Sequence, residues 1–248
     1  MNSRNPTRTM GVHEYMVSRV ARALGDDLVA ETAFVGGCAT ALLVTDELVH
    51  TEVRFTDDVD VIVHVMGRGH WYQLERRLED LGFRSSPIET DDPICRKRLR
   101  DGEPHELIVD FMPDEPGILD FSNRWYAEAL ESALEVELGD GSRVRVVTSP
   151  YFLATKLDAY RGRGHGDLLL SQDVEDILNV VNGRDSLLEE VRESPLELQQ
   201  AIAQGLQELM EHPSFDYAVA SAVRDSPSRE TRVFQKLDAL VKQPWSAS

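Results

Sequence analysis

Between residues 58 and 65 valine occupies every odd position: Val59, Val61, Val63 and Val65. Side chains alternate along a β-strand, so these four share one face, while Asp58, Asp60, Ile62 and His64 share the other. An all-valine face has to pack beneath helices, which predicts a sheet covered on that side. The same alternation leaves two carboxylates together at the beginning of the strand, roughly 6–7 Å apart at Cα. Like charges that close repel unless a cation stands with them. Two hard oxygen ligands at this spacing suit Mg²⁺ when it also holds a substrate's phosphates. A solvated strand entrance with the Asp57-Asp58 run explains the pair better when the pair is taken alone.

A third carboxylate shifts the balance. In Leu107-Ile108-Val109-Asp110-Phe111-Met112 a single acid interrupts an apolar strand. Burying it is costly unless it is paired or metal-bound. Beside the valine strand, Asp110 would join Asp58 and Asp60, and three carboxylates can hold two divalent ions for in-line phosphoryl or nucleotidyl transfer. One acid could also accept the proton of an attacking hydroxyl. Upstream, Phe34-Val35-Gly36-Gly37 reads as a strand end, a glycine pair and a helix start. Glycines let a backbone approach a phosphate, and free N–H groups at a helix start attract anions. No GxxxxGK[ST] or GxGxxG pattern is present.

Composition narrows the setting. Asp and Glu total 44 against 26 Lys and Arg, a net charge of −18 that repels phosphate backbones and excludes a general nucleic-acid coat protein. Four of those cations are lysines, Lys97, Lys156, Lys236 and Lys242, so a lysine near a site merits inspection. Two cysteines, Cys38 and Cys95, exclude a disulfide framework and a cysteine-built zinc site. No apolar run is long enough to span a bilayer, and Met1–Arg8 leads into no apolar segment of a secretory signal. The expected location is the cytoplasm.

Helices are expected over Gly11–Leu24, Cys38–Leu48 and Trp71–Leu81, with strands over Thr32–Val35 and Val59–Val65. Hairpins are expected for Ile94–Arg100 with Glu106–Met112, around Asp101-Gly102, and for Leu134–Leu138 with Arg143–Val147. From Ser149-Pro150 onward the chain reads as helical. The expected organisation is an α/β catalytic domain over 1–148, a helical domain over 149–242 and a polar tail over 243–248.

Val35-Gly36-Gly37, Asp58-Val59-Asp60 and Asp110, in that order and context, resemble the nucleotidyltransferase superfamily of the DNA polymerase β type. The interval from Gly37 to Asp58 is longer than in minimal members, with Leu48–Arg54 expected as an extra turn or loop. More narrowly, Arg54-Phe55-Thr56-Asp57-Asp58-Val59-Asp60 resembles the Arg-x-Thr-x-Asp-hydrophobic-Asp signature of AbiEii-like nucleotidyltransferases, which include toxins of abortive-infection and toxin–antitoxin systems. That family carries a later helical lysine and an Asp-x-x-Asp segment, matched here by Lys156 and by Asp173-Val174-Glu175-Asp176. The resemblance implies an α+β fold, a mixed sheet with flanking helices followed by a C-terminal helical bundle. It implies metal ligation and catalysis by Asp58, Asp60 and Asp110, and nucleotide contacts by Gly36, Gly37, Arg54, Thr56, Lys156 and Asp173. It also implies two Mg²⁺ ions, an NTP such as ATP as substrate, a tRNA or protein acceptor, and a possible cognate antitoxin.

From the residues themselves, Lys156, Tyr160 and Arg163 lie at i, i+4 and i+7, so one helix face could offer two cations and an aromatic ring to a triphosphate and base. Asp173 could position Lys156 by ion pairing, or could merely favour the dipole of a helix capped by Ser171. Arg161-Gly162-Arg163-Gly164-His165-Gly166-Asp167 reads as a cationic loop. Arg96, Arg98 and Arg100 alternate on one strand face with Lys97 on the other, as on a charged edge strand that could also contact RNA. Rival functions are an aminoglycoside-type small-molecule nucleotidyltransferase, a catalytically silent nucleotide-binding module of the same fold, and a metal-dependent hydrolase.

Overall fold

The computed structural model describes residues 10–85, 93–119, 122–163 and 167–242. The expected polar tail and the Gly164-His165-Gly166 stretch lie outside the described residues. The chain is α+β, with a mixed seven-stranded sheet and flanking helices, and it divides into two compact units. The first comprises residues 1–42, 55–122 and 126–147, and the second residues 43–54, 123–125 and 148–248.

The first unit carries the sheet. Its strands are β1 (Thr32–Val35), β2 (Asp58–Val63), β3 (Phe83–Ser85), β4 (Arg96–Leu99), β5 (Leu107–Pro113), β6 (Leu134–Glu137) and β7 (Arg143–Val146), in the order β3-β4-β5-β2-β1-β7-β6. Helices α1 (Val12–Ala30), α2 (Gly36–Leu43), α4 (Arg68–Asp80) and α5 (Tyr126–Glu131) accompany it. β2 pairs with β5 in parallel and with β1 antiparallel, while β4 and β5 form the expected antiparallel hairpin.

The valine periodicity is realised as burial. Val59 and Val61 are fully buried, as are Val109, Phe111 and Leu99 on the same face of neighbouring strands. Phe111 meets Phe83 edge-on at 5.2 Å between ring centroids. α4 covers this face, and Lys97 reaches Glu75 of that helix. α1 is longer than expected, continuing past Leu24 through a non-helical Gly25 at φ 74°, so that Leu28 and Val29 are buried as well. Arg19 ties α1 to the β4–β5 turn through Asp101 and the carbonyl of His105.

The second unit consists of α3 (Glu47–Glu52), α6 (Ser149–Gly162), α7 (Gln172–Gly183), α8 (Leu187–Glu193), α9 (Leu196–Met210), α10 (Phe215–Ala222) and α11 (Pro227–Val241), with a 3₁₀ turn at Leu168–Leu170. The expected helix over Cys38–Leu48 stops at Leu43, and the segment expected as a loop starts a separate helix instead. The reason is local: the Asp46 carboxylate accepts the amides of Leu48 and Val49 and caps a new first turn. The amides of Thr45 and Asp46 bond the carbonyl of Gly183, and a Cβ on Gly183 would lie 2.7 Å from Val44, so this segment closes onto the end of α7. Leu157, Ile177, Leu178, Ile202, Leu206 and Leu237 fill the interior of the unit.

Candidate functional site

In the first unit the strand register assembles the acids. Asp60 stands opposite Asp110 on β5, and Asp58 lies two residues earlier on the same face. This face is more open than the valine face: Asp58, Asp60, Ile108 and Met112 are half-buried, and Asp110 is 8% exposed. Asp58 is fixed from two sides. The Thr56 hydroxyl donates to its Oδ1 at 2.5 Å, and the Cys38 thiol donates to its backbone carbonyl at 3.3 Å.

Gly36 opens α2 at φ 71°, a left-handed conformation that favours glycine. A Cβ there would lie 1.7 Å from Oδ2 of Asp60. The space a side chain on Gly36 would need is therefore taken by the Asp60 carboxylate, which sets the opening of α2 against the acid cluster. Gly37 is buried in the first turn of the same helix.

Arg96 departs furthest from its expected place. β4 is not an edge strand, since β3 lies outside it. Arg96 stands opposite Asp110 and grips both its oxygens, with Nε on Oδ1 at 2.9 Å and a terminal nitrogen on Oδ2 at 2.7 Å. The same guanidinium lies 3.5 Å from Oδ2 of Asp58. Lys97 is 2% exposed and held by Glu75 and the Ser85 hydroxyl, while Arg100 follows the strand and pairs with Glu106. Of these basic residues, Arg96 is thus an acid partner, Lys97 on the opposite face belongs to a buried ion pair and Arg100 to an exposed one. Cys95, beside this cluster, has its thiol pushed up to about 12 by burial and by the Asp110 charge.

Among the described residues, no three His, Cys, Asp or Glu side chains gather their donors as a ready metal site. The donor chemistry nevertheless fits a divalent cation. Three hard oxygen ligands share one face in paired register, and a cation, Arg96, already stands between two of them.

The second unit holds a separate buried ion network. Lys156 on α6 is 9% exposed, and its Nζ lies 2.7 Å from Asp176 and 3.2 Å from Asp173 on α7. Asp173 also accepts from Arg163, and Asp176 accepts from Arg54 at 3.2 Å. Glu175 lies 4.0 Å from Arg54, and burial outweighs that cation to hold its carboxyl above the usual range. The expected pairing of Asp173 with Lys156 is present, and Asp173 and Asp176 are almost fully buried rather than solvated first-turn acids. Ser171 caps α7 as expected, through the amide of Val174. Tyr160 is 5% exposed, so its ring packs inside the unit rather than offering a stacking surface.

The sequence reading missed the pairing of Arg96 and the role of Asp176. The signal for Arg96 was its odd-even phase, since Cys95 and Leu99 share the face of Lys97 and leave Arg96 with the acids. Compared with known proteins, the chain matches no family model and no curated protein. No helix among the described residues is long and apolar enough to cross a membrane.

Proposed function

We propose that the first unit is a Mg²⁺-dependent nucleotidyltransferase centre that moves a nucleoside monophosphate from an NTP to an acceptor hydroxyl. The observation that carries this reading is the register of β2 and β5, which sets Asp60 beside Asp110 with Asp58 on the same half-open face. Asp58, Asp60 and Asp110 would hold two divalent ions, whose charge would offset that of the triphosphate and polarise the reacting phosphorus. Thr56 keeps Asp58 in place. Backbone N–H groups at Gly36 and Gly37, opening α2, would receive phosphate oxygens. In the transfer, the acceptor oxygen forms a bond to the α-phosphorus and the bond from that phosphorus to the β-bridging oxygen breaks. Pyrophosphate departs, and Asp110 takes the acceptor's proton. For the second unit, the reading assigns Lys156, Asp173 and Arg54 to nucleotide contact. This assignment rests on the resemblance alone, since Lys156 and Arg54 are already paired with buried acids.

The reading extends to a tRNA or protein acceptor, a cytoplasmic setting and a toxin neutralised by a cognate antitoxin. A second reading, transfer to a cationic small molecule of the aminoglycoside kind, draws on the net charge of −18, which attracts such an acceptor and repels RNA. Incubation with each α-³²P-labelled NTP and Mg²⁺, with total tRNA, protein extract or aminoglycosides as acceptor, separates the two. Label should appear on one acceptor class and disappear in Asp58→Ala and Asp60→Ala. Label that persists in both variants removes the proposed centre.

A further inference from the structure

We propose that Arg96 is the resident counter-ion of the acid cluster and that a divalent cation loads only by displacing its guanidinium from Asp110. The inference rests on the proposed metal-binding role of the three acids. Three facts carry it. Asp110 is 8% exposed in the middle of the sheet, where an unpaired carboxylate is expensive. Both of its oxygens are engaged by one planar fork, at 2.9 and 2.7 Å, the geometry in which arginine binds a carboxylate most tightly. The same guanidinium reaches toward Asp58, so a single cation spans two of the three acids the metal would need.

The register makes the contact a property of the sheet rather than of a wandering side chain. Arg96 and Asp110 are paired residues on hydrogen-bonded strands, and Asp60 is paired with Asp110 on its other side. Three acids against one arginine leave a formal excess of two negative charges, which one divalent cation neutralises. Once that cation takes Asp110, the guanidinium gives up its bidentate contact and stays beside Asp58 as a positive group next to a site built for polyphosphate. Exchange of arginine for metal would thus neutralise the acids and release an anion-binding group together. The cost is a weaker first binding event, because the metal must break a bidentate pair.

The test uses the whole chain and the metal alone. Calorimetric titration with Mg²⁺ and with Mn²⁺ should show Arg96→Gln binding on the order of tenfold tighter than wild type. In wild type, the Nε–H resonance of Arg96, assigned by its loss in Arg96→Lys, should shift as metal is added, a readout that does not depend on any variant keeping its fold. Metal that binds wild type while this resonance stays unmoved overturns displacement and leaves the metal site intact. Failure of both wild type and Arg96→Gln to bind either metal removes the metal site and this inference with it.

Discussion

The carboxylate of Asp60 fills the space that a side chain on Gly36 would need, with its Oδ2 1.7 Å from the position of that Cβ. One residue opens a helix and the other belongs to the neighbouring antiparallel strand, so the start of α2 and the acid cluster cannot be moved independently. Gly36→Ala should therefore act on both. It forces a side chain into a left-handed backbone at φ 71° and displaces Asp60, at a cost of roughly 2 kcal/mol or more. Thermal denaturation should show the loss, and divalent binding should weaken with it. An unchanged melting temperature would show that the backbone relaxes without cost.

Thr56 offers a gentler perturbation of the same cluster. Its hydroxyl donates to Asp58 Oδ1 at 2.5 Å from a position only 6% exposed. Thr56→Val removes the donor at nearly constant volume and should cost about 1 kcal/mol, with weaker Mn²⁺ binding. Thr56→Ser keeps the hydroxyl and should restore the binding. Equal metal affinity in all three proteins would mean that Asp58 needs no such support.

Lys156 tests the second unit. Its ammonium lies between Asp173 and Asp176, which are 2% and 0% exposed. Lys156→Met should leave two buried acids sharing Arg54 and Arg163, destabilising the unit by about 3 kcal/mol. Asp176→Asn in the same background should recover part of that loss, because the uncompensated charge goes with it. Additive effects in a double-mutant cycle, read by urea denaturation, would show that the lysine and Asp176 do not interact.

Cys95 gives a pH signature. Burial, reinforced by Asp110, raises its folded value to about 12 from an ordinary 9.0. The folded protein therefore keeps a proton that the unfolded chain releases. Stability associated with this thiol is fully present below pH 9.0 and is lost as the pH rises toward about 12. Cys95→Ala should flatten the alkaline decline in urea midpoints between those values. In the native protein at pH 8 both buried cysteines should react with a thiol reagent far more slowly than in urea. A native thiol that reacts at the unfolded rate would contradict the burial.

The candidate site was legible where it depended on phase along one strand. Alternation alone sorts Asp58 and Asp60 from the valines, and a single acid in an apolar run marks Asp110. Alternation also sorts Arg96 from Lys97, yet it does not say which of the two faces a helix covers and which carries the acids. The α3 segment was missed for a comparable reason. Its cap signal, Asp46, is plain, but a six-residue helix has little periodicity of its own and is held by the Gly183 carbonyl far along the chain.

By itself, then, the sequence determined everything that repeats at short range: the strand faces, the hairpin turn at Asp101-Gly102, the glycine opening of α2 and the amphipathic helices after Ser149. These follow from local sterics and from the two backbone periods, which any few consecutive residues reveal. Tertiary structure alone decided which strands are neighbours, and hence that Asp60 meets Asp110, that Arg96 rather than solvent balances the acids, and that Lys97 is drawn under α4. Those outcomes depend on strand order and on which face the helices cover, and pairing partners tens of residues apart are chosen by burial of the whole sheet rather than by any local run of residues.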